Sequence, residues 1–268
     1  MDAIFVTGTA GSGKSSLTSK IVEWYSDNGA FAITLNLDPG VIHLPYKPDV
    51  DIRNYVDIEK LMTEFNLGPN GALIMAADLV ATKLDEIQSE VDGLNPDHVI
   101  IDTPGQIELF VYRASGPYVV TNFRSDNKVN IFTLDGMLVS TPINYVSIAL
   151  IAASVRMRLK IAQIDVMTKR DLIADTIQDI MRWASSRMLL EKAIDTDTGQ
   201  QQANTEYKLL TRDILQSMYR NGVMQTPIPF SNLTMNGMLN LTGTLSRVLR
   251  QGEEKFDRYS QECEYSIL

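Results

Sequence analysis

The chain has 268 residues, of which 44% are hydrophobic and 21% are charged, and its formal net charge at pH 7 is −9. The length allows a sizeable buried core, and the composition is typical of a globular protein in water. The negative charge argues against a surface that binds DNA or RNA, because such surfaces carry a basic excess. It does not exclude a small nucleotide, for which a few backbone amides and one lysine suffice.

Cysteine content and apolar segments bear on the compartment. The single cysteine, Cys263, excludes an intrachain disulfide and fits a reducing environment. No apolar run reaches the roughly 18 residues of a membrane span, and the N-terminal MDAIFVTGTAG has no basic region followed by a cleavage site. We therefore expect a cytoplasmic protein without membrane contact.

Apolar runs alternate along the chain with segments of helical periodicity. A first strand is expected at 3–7, where AIFVT runs up to a glycine, and a first helix at 15–29, which ends at Asn28-Gly29. Further strands are expected at 31–37, 98–105 (running into a turn), 129–136, 159–166 and 226–232. Further helices are expected at 57–67 (capped by Asp57), 72–91, 108–122, 141–158, 207–221 and 235–259. This alternation predicts an α/β fold with a mostly parallel sheet and helices on both faces.

The organisation expected from this pass is a single domain spanning 1–268, without internal repeats. A helical insertion at about 57–92 carries the loop Gly68-Pro69-Asn70-Gly71 between two helical segments. The segment 195–205, DTDTGQQQANT, is almost entirely polar, which predicts a flexible surface loop.

Residues 8–15, Gly-Thr-Ala-Gly-Ser-Gly-Lys-Ser, match the phosphate-binding pattern G-x-x-x-x-G-K-[ST] between a predicted strand and a predicted helix. Glycines let successive backbone N–H groups point at phosphate oxygens, and the helix start adds its positive dipole end. Lys14 is expected to reach the β- and γ-phosphates, and the Ser15 hydroxyl to ligate Mg²⁺. A glycine-rich turn that contains a lysine by chance is the alternative, against which the flanking strand and helix argue. The pattern predicts a P-loop NTPase fold whose nucleotide contacts include Gly8, Thr9, Ala10, Gly11, Ser12, Gly13, Lys14, Ser15 and Ser16.

The sequence HVIIDTPGQ places Asp102 at the end of a strand, the edge at which open α/β sheets bind ligands. An aspartate there holds Mg²⁺, usually through water, while the Gly105 N–H can contact the γ-phosphate and Gln106 can orient an attacking water. The alternative for Asp102 alone is a turn-capping aspartate. The following Thr-Pro-Gly and glutamine favour the metal site.

Two further polar residues have two interpretations each. Asp38, in NLDPG, either serves Mg²⁺-bound or attacking water or only starts an Asp-Pro turn. Arg53 is either an internal arginine finger or a solvated surface arginine.

The segment Thr168-Lys169-Arg170-Asp171 follows a predicted strand and matches [NT]-K-x-D, a pattern with which GTPases bind guanine. Asp171 would accept hydrogen bonds from guanine N1 and N2, which adenine cannot donate equivalently, and the Lys169 stem would pack over the base. In PFSNL, the backbone groups of Ser231 and Asn232 are candidates for contacts to guanine O6.

Together these segments resemble the GPN-loop GTPases, which are named for the Gly-Pro-Asn tripeptide found here at 68–70. The matching segments, in the family's order and over most of the chain, are GTAGSGKSS, NLDPG, LPYKPDVDIRNYV, LGPNGAL, DTPGQIELF and TKRDL. The chain departs from the family pattern at Gly40, where alanine is usual, and at Thr168, where serine is frequent. It also lacks a histidine often seen after Glu108.

The resemblance implies a homodimeric GTPase that hydrolyses GTP to GDP with Mg²⁺ and whose Gly-Pro-Asn loop completes the partner's site. It implies catalytic roles for Lys14, Asp38, Asn70 and Gln106, with Ser15, Asp102 and Asp38 around the metal. From the residues alone, Asn70 could instead cap a helix that begins near Ala72.

The sequence also bears on three other functions: a nucleotide-dependent switch, a P-loop kinase and a metallochaperone. A nucleotide-dependent switch that times assembly of a partner complex is the main alternative, and eukaryotic family members imply RNA polymerase as that partner. A P-loop kinase is disfavoured by Gln106 and Asp171. A metallochaperone is disfavoured because Cys263, His43 and His98 are scattered along the chain.

Overall fold

The computed structural model describes residues 1–196 and 205–250. Within these residues seven parallel strands form one sheet in the order β3-β2-β4-β1-β5-β6-β7. The strands are β1 Asp2–Gly8, β2 Ala32–Asn36, β3 Val50–Asp51, β4 His98–Asp102, β5 Asn127–Asp135, β6 Ala162–Thr168 and β7 Ile228–Pro229. The sheet and its helices confirm the predicted α/β P-loop NTPase fold.

Helices cover both faces of this sheet. They are α1 Lys14–Asp27, α2 Ile58–Glu64, α3 Pro69–Thr82, α4 Leu84–Leu94, α5 Ile107–Phe110, α6 Ser115–Asn122, α7 Pro142–Leu159, α8 Ile177–Ser185, α9 Arg187–Thr196, α10 Thr205–Arg220 and α11, residues 238–250. One face packs against α1 and α11, with Leu17 and Leu245 in a shared apolar cluster. The other helices contribute to a second apolar cluster on the opposite face, which includes Phe132. No described helix has both the length and the apolar character needed to cross a membrane.

The position of β1 creates the crevice in which ligands bind in such sheets. β1 lies between β4 and β5, so that Ile4 is level with both Ile100 and Val129. The chain leaves β1 toward β2 on one side and later crosses from β4 to β5 on the other side. The carboxyl ends of β1, β2, β4, β5 and β6 therefore meet at a topological switch point.

The predicted helix at 72–91 is wrong in its bounds. The first helix of the pair, α3, begins at Pro69, so the Gly-Pro-Asn tripeptide forms the helix start, with Gly68 as N-cap and Pro69 in the first helical position. A break at Lys83 separates α3 from α4, although the Lys83 amide still bonds to the carbonyls of Leu79 and Val80. Neither glycine nor proline marks this break, and the apolar periodicity continues through it.

The helix predicted at 108–122 is also two elements. A turn at 111–114 separates α5 from α6, and Gly116 of α6 packs so closely on α5 that an added Cβ would lie 1.9 Å from the Phe110 carbonyl oxygen. The strand β3 and the helices α8 and α9 were missed, and β6 lies three residues later than predicted at its start. The predicted loop 195–205 is wrong at its ends, because residues 195–196 belong to α9 and residue 205 begins α10. Its residues 197–204 lie outside the described residues, as do residues 251–259 of the predicted last helix.

Candidate nucleotide-binding site

The loop 8–15, hereafter the phosphate loop, follows β1 and leads into α1 at the switch point. Gly8, Gly11 and Gly13 have φ values of +150°, +74° and +86°, which favour glycine. At Gly8 an added Cβ would also lie 2.1 Å from Thr133 Oγ1 and 2.6 Å from the Thr133 carbonyl oxygen. The loop backbone therefore has the curled geometry that places N–H groups around a phosphate.

Lys14 is buried within this loop. Its Nζ donates to the carbonyl oxygens of Thr9 (2.9 Å), Gly8 (3.2 Å) and Gly105 (3.3 Å). Burial lowers the pKa of Lys14, while the charges of Asp102 and Asp38 oppose this effect. The ammonium group thus lies between the phosphate loop and the Asp102–Gly105 segment, where it can exchange neutral carbonyl partners for phosphate oxygens.

Buried hydroxyls fix the phosphate loop to neighbouring strands. The Thr133 hydroxyl donates to the Thr7 carbonyl (3.0 Å), and Ser12 Oγ lies 2.6 Å from Thr133 Oγ1. From β6, the Thr168 hydroxyl donates to the Ser12 carbonyl at 2.7 Å and is 3.1 Å from the Leu134 carbonyl. The hydroxyl of Thr168, predicted to belong to the base motif, therefore lies beneath the phosphate loop and anchors it.

Asp102 is 1% exposed at the end of β4. Burial raises its pKa to about 6, although the Ser15 and Tyr46 hydroxyls and the charge of Lys14 oppose the rise. Oδ2 accepts a hydrogen bond from Tyr46 (2.9 Å). The Ser15 hydroxyl lies close enough to lower the pKa of this carboxyl, but Oδ1 is buried and meets no partner at hydrogen-bonding geometry among the described residues. An unsatisfied buried carboxylate oxygen is costly, and a cation or its bound water would satisfy it. These residues therefore fit Mg²⁺, a cation that takes one or two carboxylates together with substrate phosphates.

Asp38 joins the end of β2 to the segment after β4. Its Oδ1 accepts from the Gly40 amide (2.9 Å), which is the predicted Asp-Pro turn, while Oδ2 accepts from the Gly105 amide (3.0 Å). The structure thus brings Asp38 and Gly105, both predicted site residues, into direct contact. The N–H expected to contact the γ-phosphate has a carboxylate partner here, which a phosphate would have to replace.

Arg53 is 34% exposed and forms an ion pair with Asp51. Its Nε lies 3.0 Å from Asp51 Oδ2 and its Nη2 2.6 Å from the same oxygen, while Nη1 donates to the Val41 carbonyl (3.1 Å). Asp51 also accepts from Asn36 (2.9 Å), whose Oδ1 accepts from the Asp38 amide (3.0 Å). In this structure Arg53 is paired with Asp51 and holds the chain around Asp38, a contact that the sequence did not predict. Its role as an internal arginine finger stays a prediction.

The predicted base motif lies after β6. Lys169 has a left-handed backbone (φ +57°), and its Nζ lies 2.6 Å from Oδ2 of Asp135 at the end of β5. The buried Ser231 hydroxyl donates to Asp171 Oδ1 at 2.6 Å. A cavity of about 290 Å³ adjoins this pair and is lined by Arg170, Asp171, Ala174, Ile177, Ser231, Thr234 and Asn236.

The backbone contacts predicted after β7 need one correction. The Ser231 amide donates to the Asn236 carbonyl (3.1 Å), so it is not available for guanine O6, and Ser231 acts through its side chain instead. Asn232 reaches the phosphate loop, because its Nδ2 would lie 3.1 Å from a Cβ added at Gly13. Its Oδ1 is buried without a partner among residues 1–196 and 205–250.

Gln106 and Asn70 are exposed, and neither side chain hydrogen-bonds to a described residue. Gln106 directly precedes α5 as its N-cap position, without a side-chain cap. Asn70 is the second residue of α3, whose N-cap is Gly68, so the capping role considered for Asn70 is wrong. Both amides are available for other partners.

Several residues around this site were missed. Tyr46 lies in LPYKPD, a segment that resembles the family but to which the sequence assigned no role. Asp135 ends β5 in TLDG, just as Asp102 ends β4. The strand-end aspartate was a usable signal for Asp135, since carboxyl ends of strands gather at the ligand edge. The described residues contain no group of three or more His, Cys, Asp and Glu side chains suited to a metal.

Comparison with known proteins assigns the chain to a family. A family model described as conserved hypothetical ATP binding protein matches residues 6–251. The GPN-loop GTPase QQT2 of Arabidopsis thaliana is 34% identical over 72% of this chain and 52% of its own length. GPN-loop GTPase 1 of Saccharomyces cerevisiae is 29% identical over 97% of this chain and 67% of its own length.

A solved structure extends the comparison to the fold. A GTPase from Pyrococcus abyssi in its apo form matches with a TM-score of 0.78 and 26% identity, over 92% of this chain and 96% of that one. The chain spans about half the length of several curated relatives that it matches, at 52%, 49% and 54%. The chain belongs to the GPN-loop GTPase family.

Proposed function

We propose that the chain binds GTP with Mg²⁺ and hydrolyses it to GDP and phosphate as a homodimer, in which the Gly-Pro-Asn loop completes the partner's site. The observation that carries this proposal is the pair of contacts at the end of β6. Thr168 bonds to the phosphate loop, and three residues later Asp171 bonds to Ser231. These contacts support the proposal because the phosphate loop and the carboxylate proposed to bind the base both lie at the carboxyl end of β6.

Guanine is favoured over adenine by the chemistry of Asp171. The family model's description mentions ATP, whereas the curated relatives are named as GTPases. Guanine offers an N1–H and a 2-amino group to a carboxylate, and adenine presents an acceptor nitrogen where guanine carries the N1–H. A site built around such donors rejects the analogue that lacks them by about 10⁴ or more. Ser231 supports this role because it restrains one carboxylate oxygen.

The phosphate chemistry would proceed by positioning and charge stabilisation. Lys14 and the Gly105 amide would exchange their internal partners for γ-phosphate oxygens, and Gln106 would orient the attacking water. Ser15 and Asp102 would hold Mg²⁺, whose charge offsets that of the β- and γ-phosphates. Asp38 faces Gly105, next to the expected γ-phosphate, where its carboxylate can accept a hydrogen bond from that water. No covalent intermediate is expected.

A second copy of the chain is the proposed partner of the Gly-Pro-Asn segment. Asn70 is exposed at the start of a 14-residue helix, whose N-terminus favours an anionic partner such as phosphate. Phe65 and Ile74, on either side of the tripeptide, are 52% and 40% exposed, and a dimer would bury such apolar surface. A mass of 29.9 kDa for the purified protein with GTP and Mg²⁺ in solution would overturn the dimer.

The test of the nucleotide is competition against a fluorescent guanine nucleotide, followed by hydrolysis assays. We expect GTP to compete at least 100-fold better than ATP, in line with rejection of a base that lacks the required donors. Asp171→Asn should bind GTP more weakly and xanthosine triphosphate more tightly. The C2 carbonyl of xanthine can accept a hydrogen bond from the introduced asparagine amide. Asp175→Asn, an exposed aspartate four residues on, is the matched control. Equal binding of ATP and GTP by the unchanged protein would overturn guanine recognition.

A nucleotide-dependent switch is the second candidate, supported by exposed apolar side chains on α9 and α10. Met188, Leu209 and Leu210 are 72%, 54% and 56% exposed, and they are among the apolar side chains on these two helices that a partner could cover. In this proposal GTP and GDP set the surface offered to a partner complex, for which family resemblance suggests RNA polymerase. Capture of purified RNA polymerase only with a non-hydrolysable GTP analogue would support it. Equal capture with GDP would contradict it.

A further inference from the structure

Tyr46 connects the chain after β2 to the carboxylate expected near the metal. Its hydroxyl donates to Asp102 Oδ2 at 2.9 Å, and Asp102 Oδ1 is buried without a partner in the described part of the chain. We infer that Tyr46 is a positioning residue for Mg²⁺: it restrains Oδ2 and leaves Oδ1 to face the cation or its bound water. This inference rests on the proposed Mg²⁺–nucleotide site.

The hydrogen bond has a defined direction. An ionised carboxylate only accepts, so the tyrosine must donate. Because Tyr46 holds Oδ2, the Asp102 carboxylate cannot rotate freely, and only Oδ1 remains to face the proposed metal site. Outer hydrogen bonds of this kind orient metal ligands in other proteins.

The segment that carries Tyr46 is itself fixed at two points. On one side Arg53 Nη1 donates to the Val41 carbonyl at 3.1 Å. On the other side Asp49 Oδ2 accepts from the Thr34 amide (2.7 Å) and the Thr34 hydroxyl (2.9 Å). Because both ends are tied to β2 or to residues next to β3, the phenol position is set by the scaffold. The same segment begins at Asp38, so it links the two carboxylates of the site.

The test is the Mg²⁺ dependence of nucleotide retention, which does not require turnover. A chelator titration of protein loaded with a fluorescent guanosine diphosphate gives the Mg²⁺ concentration for half-maximal retention. For Tyr46→Phe we expect this concentration to rise about 10- to 100-fold, the usual effect of removing an outer hydrogen bond from a metal ligand. Tyr55→Phe is the matched control, since that hydroxyl donates to Glu90 Oε2 (2.5 Å) at the surface. It should stay within about twofold of wild type, because no site residue is touched.

Outcomes separate this inference from the proposed function. If nucleotide retention by the wild-type protein does not change with the Mg²⁺ concentration, the proposed metal site is contradicted. Normal Mg²⁺ dependence in the wild type, together with a Tyr46→Phe value within about twofold of it, would overturn the role of Tyr46 alone, since a lost outer contact costs more.

A second measurement keeps the inference testable if Tyr46→Phe is unstable. In metal-free protein, urea unfolding of Tyr46→Phe, Asp102→Ala and the double variant forms a double-mutant cycle. Because Tyr46→Phe leaves a buried carboxylate oxygen without its donor, removing the carboxylate should reduce or remove the cost of Tyr46→Phe, whereas an asparagine could still accept the bond. Additive costs would show that the hydroxyl does not act through Asp102 and would overturn the inference.

Discussion

Thr168→Val tests the anchoring of the phosphate loop. The side chain is 0% exposed, and its hydroxyl donates to the Ser12 carbonyl at 2.7 Å, with the Leu134 carbonyl at 3.1 Å. Valine keeps the shape and removes the single O–H donor, so the buried Ser12 carbonyl loses its side-chain partner. The cost expected for an unpaired buried polar group is about 1–3 kcal/mol in the free energy of unfolding.

Thr18→Val is the matched control for this change. Thr18 is also 0% exposed, but its hydroxyl has no hydrogen-bond partner among the described residues. Replacing an unpaired buried hydroxyl by a methyl group should change the free energy of unfolding by less than about 0.5 kcal/mol or stabilise the protein. The helix propensities of threonine and valine are similar, so α1 itself should not respond.

Two assays separate the variants. Urea unfolding without nucleotide should show the loss for Thr168→Val alone, and titration with a fluorescent guanosine diphosphate should show weaker binding for the same variant. The phosphate loop loses its restraint only when Thr168 is changed. Equal stabilities and equal nucleotide affinities of the two variants would refute the anchoring role.

Two further predictions concern the loop and the sheet. Gly8→Ala should abolish nucleotide binding and lower the melting temperature, because the added Cβ would lie 2.6 Å from the Thr133 carbonyl oxygen at a φ of +150°. Gly29→Ala, also at positive φ but with no atom within 4 Å of the added Cβ, should cost only its backbone strain. Burial raises the pKa of the Asp165 carboxyl, although Gln163 and Arg156 oppose the rise. The stability that the protonated carboxyl contributes is therefore fully present below about pH 4, the ordinary pKa of an aspartate, and is lost as the pH rises through the pKa of the folded state. Asp165→Asn should therefore gain stability relative to wild type as pH increases, and a pH-independent difference in urea unfolding would contradict this.

Local patterns were sufficient for the elements proposed to bind phosphate. Residues 8–15 carry their geometry in their own glycines, and Asp102 follows a continuous apolar run, so both were found with their positions at the sheet edge. Asp57 was identified as a cap, and its Oδ1 accepts from the Lys60 amide. These features depend on neighbours within a few residues, which the sequence displays directly.

Features that depend on distant contacts were not accessible in this way. The break at Lys83 leaves the apolar periodicity unchanged, and the close approach of Gly116 to Phe110 appears only when α5 and α6 pack. Arg53 and Tyr46 look like surface residues in the sequence. In the structure each hydrogen-bonds to a carboxylate, Arg53 to Asp51 and Tyr46 to Asp102. Gln106 and Asn70 carry exposed side-chain amides without a partner among the described residues, so their proposed roles are tested by hydrolysis assays rather than by contacts.

The most direct test is GTP hydrolysis after subunit exchange between Asn70→Ala and Gln106→Ala proteins. Each variant alone should be slow. If Asn70 acts in the partner's site, half of the dimers are mixed and each has one complete site, so about a quarter of wild-type activity should return.

Exchange of wild type with the double variant Asn70→Ala/Gln106→Ala gives the opposite expectation. Its mixed dimers contain no complete site if Asn70 acts across the interface, and they keep one active site if it acts within its own chain. Recovery in the first mixture with loss in the second is the predicted result. No recovery in the first mixture, with subunit exchange verified, would contradict the shared site.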